Sequence, residues 1–202
     1  MGTRGRTWIL MGNRAKGNRP DTCPFAAKGG MKLLAALEYF QIDVSENVVA
    51  DLGSHQGGFV ECLLANHVKR VYSVDTSYGT LAWKLRQDPR VIVHERTNAI
   101  HWRPTELLDF VTIDVAWTPQ KYIIPNAIKI IKPTGSILSL LKAQYEPEAK
   151  NRVLTIDEVQ KIVDHILPWF QTMFHNVSYY FSPYLGSGGN QEVWFYLQNK
   201  IQ

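Results

Sequence analysis

A glycine-rich turn flanked by two acids is the first pattern in the sequence that could do chemistry. Asp51-Leu52-Gly53-Ser54-His55-Gln56-Gly57-Gly58-Phe59 closes one short apolar run, and Asp75 closes a second run 24 residues later. Glycines in such a turn admit positive φ and let the backbone approach a ligand closely. Their spacing, G-x-x-x-G-G, differs from the G-x-G-x-x-G that cradles a pyrophosphate, and a carboxylate at position 51 would repel phosphate. An acid before the turn and another after the next strand suit a ligand with an amino group and a ribose but no phosphate. S-adenosylmethionine is such a ligand, and a tight strand–helix turn with no ligand is the plain alternative. Asp51, Gly53, Ser54, Gly57, Gly58, Phe59 and Asp75 are therefore candidate cofactor contacts.

Four more ionisable residues stand at the ends of apolar segments. Asp114 follows Leu108–Ile113, Lys142 follows Ser136–Leu141, Lys32 follows the Gly29-Gly30 pair, and Glu192 follows the turn-rich stretch 183–190. A lysine that closes an apolar strand is costly to bury without a partner. Either the four meet at one sheet edge or each is a solvated strand terminus.

The elements needed to bring them together are legible as hydrophobic periodicity. The spacing predicts helices over 31–41, 59–65, 77–86, 119–131 and 155–170. It predicts strands over 48–52, 70–75, 91–93, 108–114, 136–141, 176–182 and 192–198. Strands separated by helices imply a parallel sheet covered on both faces, whereas the last two strands have no helix between them and so require an antiparallel pairing. The fold class is α/β: a doubly wound, mostly parallel seven-stranded sheet with a C-terminal antiparallel hairpin. Ligands of such sheets bind at the carboxyl ends of the strands, where Asp51, Asp75, Asp114 and Lys142 all fall.

Charge and composition narrow the classes. The formal charge is +4, yet residues 1–32 hold seven basic residues and one acid, leaving 15 basic and 17 acidic residues in the remainder. The surplus is an N-terminal feature, and residues 1–27, rich in Gly, Arg and Asn with Pro20 and Pro24, read as a basic flexible arm preceding a domain over 28–202. No apolar run approaches the roughly 18–20 residues of a membrane span, and Trp8-Ile9-Leu10-Met11 is too short for a secretory signal. Cys23 and Cys62 have neither metal-ligand nor disulfide-framework spacing, which favours a cytoplasmic protein with reduced thiols and no metal. Trp83 reads as a core residue of its helix, or, with Lys84, Arg86 and Arg90, as a basic stacking surface.

These segments resemble the FtsJ-like methyltransferases, specifically the TlyA or hemolysin A type. The resemblance is carried by Lys28-Gly-Gly-Met-Lys-Leu33, Asp51–Phe59, Arg70–Asp75, Leu81–Arg90, Glu95–Asn98, Val111–Val115, Leu141–Glu146 and Gly189–Glu192, and it covers roughly residues 28–198. It implies a Rossmann-like fold, S-adenosylmethionine as cofactor, and methylation of ribose 2′-hydroxyls in ribosomal RNA or a ribosomal subunit. It also implies a Lys-Asp-Lys-Glu tetrad at Lys32, Asp114, Lys142 and Glu192, with Asn98 and Asp114 beside the cofactor. In this reading Lys142 is the preferred general base, its pKa lowered by burial and by Lys32 from the ordinary ~10.4. The sequence departs from the family in three places. Residues 1–27 stand where a small N-terminal RNA-binding domain is common, Val115-Ala116-Trp117 replaces a serine and a phenylalanine, and Ala143 replaces a proline. The alternatives are a non-catalytic RNA-binding or ribosome-assembly protein, a nicotinamide-dependent oxidoreductase, and a membrane-active hemolysin. Four intact ionisable residues weigh against the first, the glycine spacing against the second, and the lack of an insertable apolar segment against the third.

Overall fold

The computed structural model describes residues 23–149, 152–186 and 188–201 of the 202-residue chain. Residues 1–22 of the expected basic arm lie outside the described residues. Its last part, 23–27, does not stand away from the domain: Phe25 and Ala26 pack against the core, and the Ala26 N–H donates to Glu61.

Seven strands form one sheet: β1 (Val48–Leu52), β2 (Arg70–Val74), β3 (Val91–His94), β4 (Leu108–Ile113), β5 (Ile131–Leu141), β6 (Phe174–Phe181) and β7 (Val193–Lys200), in the spatial order β3-β2-β1-β4-β5-β7-β6. Among the described residues five α-helices accompany them: α1 (Gly29–Tyr39), α2 (Gly58–Ala65), α3 (Trp83–Arg86), α4 (Gln120–Ile130) and α5 (Ile156–Gln171). The central strands are parallel, and β7 alone is reversed, lying antiparallel to both β5 and β6. The expected hairpin is present with its second strand inserted between β5 and the first. The order of the parallel strands reverses between β1 and β4, which is where a ligand crevice opens in a doubly wound sheet.

Alternation along the strands builds two cores. Val48, Ala50 and Leu52 of β1 and Val111 and Ile113 of β4 face one cluster with Ile123, Ile124 and Ala127 of α4 and Val159, Val163 and Phe170 of α5. Val49 and Phe110 face the other, with Leu33 and Ala36 of α1 and Phe59, Val60 and Leu63 of α2. Because successive side chains of a strand point to opposite faces, five consecutive apolar or buried residues in β1 can serve both layers. A Thr155–Glu158 capping box starts α5, satisfying two end donors reciprocally.

The first helix takes in Gly29 and Gly30 and ends at Tyr39, two residues early at both ends, and β6 begins at Phe174 rather than Asn176. Two expectations differ further. The helix predicted over 77–86 forms only at Trp83–Arg86, because the Asp75 carboxylate draws the Ser77 N–H and hydroxyl into a turn, at 2.7 and 2.6 Å, and Gly79 follows at φ +73°. With its helix cut to one turn, Trp83 is 73% exposed rather than core. β5 also begins five residues earlier than the pattern predicts. Ile131 pairs with Leu108, and the ladder shifts register before Phe110 meets Ser136, which accommodates Pro133 and Gly135.

The Phe170 ring is fully buried and packs against Phe195 at 4.8 Å between ring centroids, joining α5 to β7. Phe170→Ala is expected to lower unfolding free energy by about 3–5 kcal/mol, read as a fall in the denaturant midpoint at unchanged slope.

Candidate functional site

β1 ends at Leu52, and the chain then turns sharply through Gly53 into α2. Gly53 lies at φ +95°, and a Cβ there would sit 2.5 Å from the Asp114 carbonyl oxygen. Only glycine lets the two strand ends approach this closely. The turn is fixed to the end of β2: the Gly53 N–H donates to the Val74 carbonyl at 2.8 Å, and the Ser73 hydroxyl donates to Ser54 Oγ at 2.7 Å. Gly57 holds a second positive φ, +93°. Gly58 is buried, and the Phe59 ring packs against Trp194 in the core. Phe59 therefore offers a ligand its backbone rather than its ring.

The acids at this edge differ in state. Asp51 is fully buried; its Oδ1 accepts from the Thr112 hydroxyl at 2.8 Å, and its Oδ2 has no hydrogen-bond partner. Asp75 is half-buried and already accepts from the Ser77 N–H, the Ser77 hydroxyl and the His55 N–H, the last at 2.8 Å. Partial burial pushes its pKa up, but these bonds outweigh it and hold the carboxyl below its ordinary value. Three of its roughly four lone-pair positions are filled, so one remains for a ribose hydroxyl unless Ser77 turns away. Asn98 is exposed; its Oδ1 accepts from the Ile100 N–H at 3.0 Å, which leaves its amide nitrogen for a ligand. The neighbouring Thr97 N–H donates to the Asp75 carbonyl, tying the ends of β2 and β3 together.

Beyond the switch point stand two ion pairs. Lys32, in the first turn of α1, donates to Glu192 Oε2 at 2.6 Å, and Lys142 Nζ lies 2.5 Å from Asp114 Oδ1. Register explains the meeting. Leu52 pairs with Ile113, so Asp51, one residue before the end of β1, and Asp114, just past β4, stand at one edge of adjacent strands. Leu141 pairs with Val193, so Lys142 and Glu192 leave the β5–β7 ladder opposite one another. All four side chains are largely shielded from solvent, at 14% and 3% exposure for the first pair and 18% and 21% for the second.

The charges correct one expectation. Burial pushes the Lys142 pKa down, but Asp114 at bonding distance and Glu192 nearby push it up by more, so it lies above its ordinary value rather than below. Lys142 in this arrangement holds its proton at neutral pH and acts as a donor. Glu192 moves the other way for a carboxyl: burial raises it, with Asp114 adding, while Lys32 and Lys142 oppose and do not cancel the rise.

Several neighbours were not singled out by sequence spacing. Thr112 reaches Asp51 because the β1–β4 register sets them side by side, a pairing that becomes readable once those strands are known to be neighbours. Trp117, 69% exposed, lies at a 4.7 Å ring-centroid distance from Tyr145, three residues past Asp114 and Lys142 respectively. No residue pattern links the two, since 28 residues separate them.

Comparisons with known proteins bear on the family and the fold. The FtsJ-like methyltransferase family matches residues 25–199. Over 126 residues the chain is 40% identical to YqxC of Bacillus subtilis, provisionally named an rRNA methyltransferase; the match covers 60% of this chain and 45% of YqxC. It is 31% identical over 191 residues to the 16S/23S rRNA (cytidine-2′-O)-methyltransferase TlyA of Mycobacterium tuberculosis, covering 87% of this chain and 69% of TlyA. A solved structure from Streptococcus thermophilus, provisionally named a hemolysin, superposes with a TM-score of 0.80 at 30% identity, covering 91% of this chain and 69% of that one. The family match spans most of the chain and agrees with the doubly wound sheet, so this chain belongs to the FtsJ-like methyltransferase family, whose cofactor is S-adenosylmethionine.

Proposed function

We propose that this protein transfers a methyl group from S-adenosylmethionine to a ribose 2′-hydroxyl of RNA, in ribosomal RNA or a ribosomal subunit. The observation that carries the reading is the pair of facing ion pairs, Lys32–Glu192 and Lys142–Asp114, beside a glycine turn whose buried acid has one oxygen free. The names of the relatives YqxC and TlyA support RNA as the substrate class. Residues 1–22, with Arg4, Arg6, Arg14, Lys16 and Arg19, add a basic segment suited to phosphate contacts, ahead of a methyltransferase domain running to residue 202. This reading assigns the protein to the cytoplasm, where its substrate is. Among the described residues no helix is long and apolar enough to cross a membrane.

The residues present fit the cofactor. Asp51 Oδ2 is a buried acceptor without a donor, suited to an ammonium, and the remaining lone pair of Asp75 suits a ribose hydroxyl. Gly53, Ser54, Gly57, Gly58 and Phe59 would line the cofactor with backbone, Asn98 would face its base, and Asp114 would stand next to its reactive end. When bound, the cofactor supplies an electrophilic methyl group on a sulfonium.

The chain's own residues do the rest. A ribose hydroxyl is a weak acid and a poor nucleophile, so it must be held in line and relieved of its proton as the new bond forms. The Lys142 ammonium donates to the attacking oxygen and favours the negative charge that develops there. Glu192 Oε1 accepts no hydrogen bond from the described residues, and burial holds its carboxyl above its ordinary value. It accepts the hydroxyl hydrogen and takes the proton as the oxygen–methyl bond is made. Lys32 fixes Glu192, and Asp114 fixes Lys142. Trp117 and Tyr145 flank the second pair with an exposed aromatic face on which the target base can stack.

Burial pushes the Asp51 pKa up to about 8, against the Thr112 hydrogen bond and with Asp114 and Asp75 adding. The folded protein thus keeps a proton that the unfolded chain releases near 3.8, and between these values stability falls as pH rises. Asp51→Asn is expected to raise the melting temperature of the cofactor-free protein more at about pH 8.5 than at about pH 5. It should also weaken cofactor binding in titration calorimetry.

Labelled methyl transfer to ribosomal RNA, isolated subunits and whole ribosomes, followed by nucleoside analysis, tests the function directly, with 2′-O-methylated nucleoside the expected product. Lys142→Ala is expected to abolish turnover while cofactor affinity stays near wild type; methylation at the normal rate would overturn its role. Trp117→Ala should raise KM for RNA by about 5- to 150-fold, the loss of one stacked base, with cofactor affinity unchanged.

A further inference from the structure

The turn between β6 and β7 is rich in glycine, but its glycines do different work. Gly189 lies at φ +79° with nothing within 4 Å of where a Cβ would stand, so it serves backbone conformation alone. Gly188 has only the Asn190 amide nitrogen, at 3.8 Å. Gly186 is the reverse case. Its φ is outside the left-handed region, yet a Cβ there would stand 2.6 Å from Glu192 Oε1, 3.2 Å from Glu192 Cδ and 3.5 Å from the Asn190 carbonyl oxygen.

The turn is held in place around that contact. The Gly186 N–H donates to the Asn190 carbonyl at 2.9 Å, and the Gly189 N–H donates to the Gly186 carbonyl at 3.0 Å. Asn190 is buried, and its Oδ1 accepts from the Leu154 N–H at 2.9 Å, anchoring the turn to the segment before α5. The Ser182 N–H donates to the Glu192 carbonyl at 2.9 Å, closing the β6–β7 ladder beneath it. Glu192 itself is 2% exposed and is bound through Oε2 to Lys32. Its Oε1 is thus the oxygen that faces the Gly186 backbone.

We propose that Gly186 is a positioning residue of the active site, its missing side chain leaving the slot in which the Glu192 carboxylate stands with Oε1 free for the substrate hydroxyl. A methyl group at 186 would force the carboxylate to withdraw by about 0.7–1.0 Å to reach an ordinary C···O contact of about 3.3–3.6 Å. A carboxylate can swing away without unfolding the chain, so the cost falls on the position of Oε1 rather than on the fold. The inference rests on the role proposed for Glu192.

The test is a double-mutant cycle between positions 186 and 192, using labelled methyl transfer to isolated ribosomal subunits, calorimetric cofactor binding and thermal melting. Gly186→Ala is expected to lower kcat by about 10- to 100-fold, the scale of a misplacement near 1 Å. Cofactor affinity should stay within about twofold. In a Glu192→Asp background, where the side chain is one methylene shorter, the same change should be silent in kcat and in melting temperature, because the slot is no longer filled. Gly188→Ala serves as the control and should match wild type. Wild-type kcat in Gly186→Ala, or equal loss in both backgrounds, overturns the proposal. If Glu192→Asp turns over too slowly to measure, kcat of Gly186→Ala beside that of Gly188→Ala decides: a loss confined to Gly186→Ala at unchanged cofactor affinity supports the slot, and an equal loss in both overturns it. Glu192→Gln separates the two levels: full activity there would remove the role of Glu192 itself, whereas a dead Glu192→Gln beside a normal Gly186→Ala would remove only the positioning by Gly186.

Discussion

The reversal of β7 between β5 and β6 is the constraint on which the site depends. A strand begins at the edge opposite the one where its parallel neighbours begin only if it runs against them. Because β7 is antiparallel to β5, its first residue meets the last residue of β5, Val193 opposite Leu141, and the side chains just beyond them, Glu192 and Lys142, share one edge. A parallel β7 would send residue 192 to the far edge and leave Lys32 without its carboxylate partner. The same register leaves Glu192 within reach of Lys32 on α1, which packs over the face opposite α4 and α5. One reversed strand therefore supplies the partner that makes it possible to bury Lys32, and the second carboxylate that holds Lys142 in its charged form.

Electrostatic balance in the crevice follows from this closure. Three acids, Asp51, Asp114 and Glu192, and two lysines are taken out of water in a small volume. The ion pairs lower the cost of burying four of them. Asp51 has only a hydroxyl for a partner, and its protonation is how the molecule avoids an uncompensated buried charge. The arrangement is polarised between two needs. At the β1 end stands a neutral acid, and at the β5–β7 end a charged lysine beside a carboxylate; in the proposed function the first would meet the ammonium of the cofactor and the second the substrate hydroxyl.

Much of the fold was legible because it follows from periodicity. The strand at 48–52 is placed to the residue, and α2, α4 and α5 lie within one or two residues of the periodic runs that predict them. The failures have local causes. The helix expected from 77 is displaced by Asp75, whose carboxylate competes for the backbone of Ser77, as short acids do near helix starts. Trp83 is exposed because that displacement leaves a helix too short to bury it. Hydrophobic spacing carries neither effect, since each depends on what a single side chain bonds to.

The candidate residues divide along the same line. Asp51, Asp75, Asp114 and Lys142 could be assigned to one edge from the sequence alone, because in a parallel sheet residues at or just past the C-terminal ends of strands lie at the carboxyl side. The identities of Lys32 and Glu192 were visible, but that they bond to each other was decided by the strand order and the reversal of β7. Sequence likewise suggested a lysine with a lowered pKa; the tertiary structure reversed the sign, because burial was weighed against two carboxylates whose distances no spacing rule contains. Types of residue and the edge they occupy are local and periodic properties, fixed by the chain. Which charge faces which, and therefore which group holds the proton, depends on register between segments far apart in sequence, and that was settled only when the sheet closed.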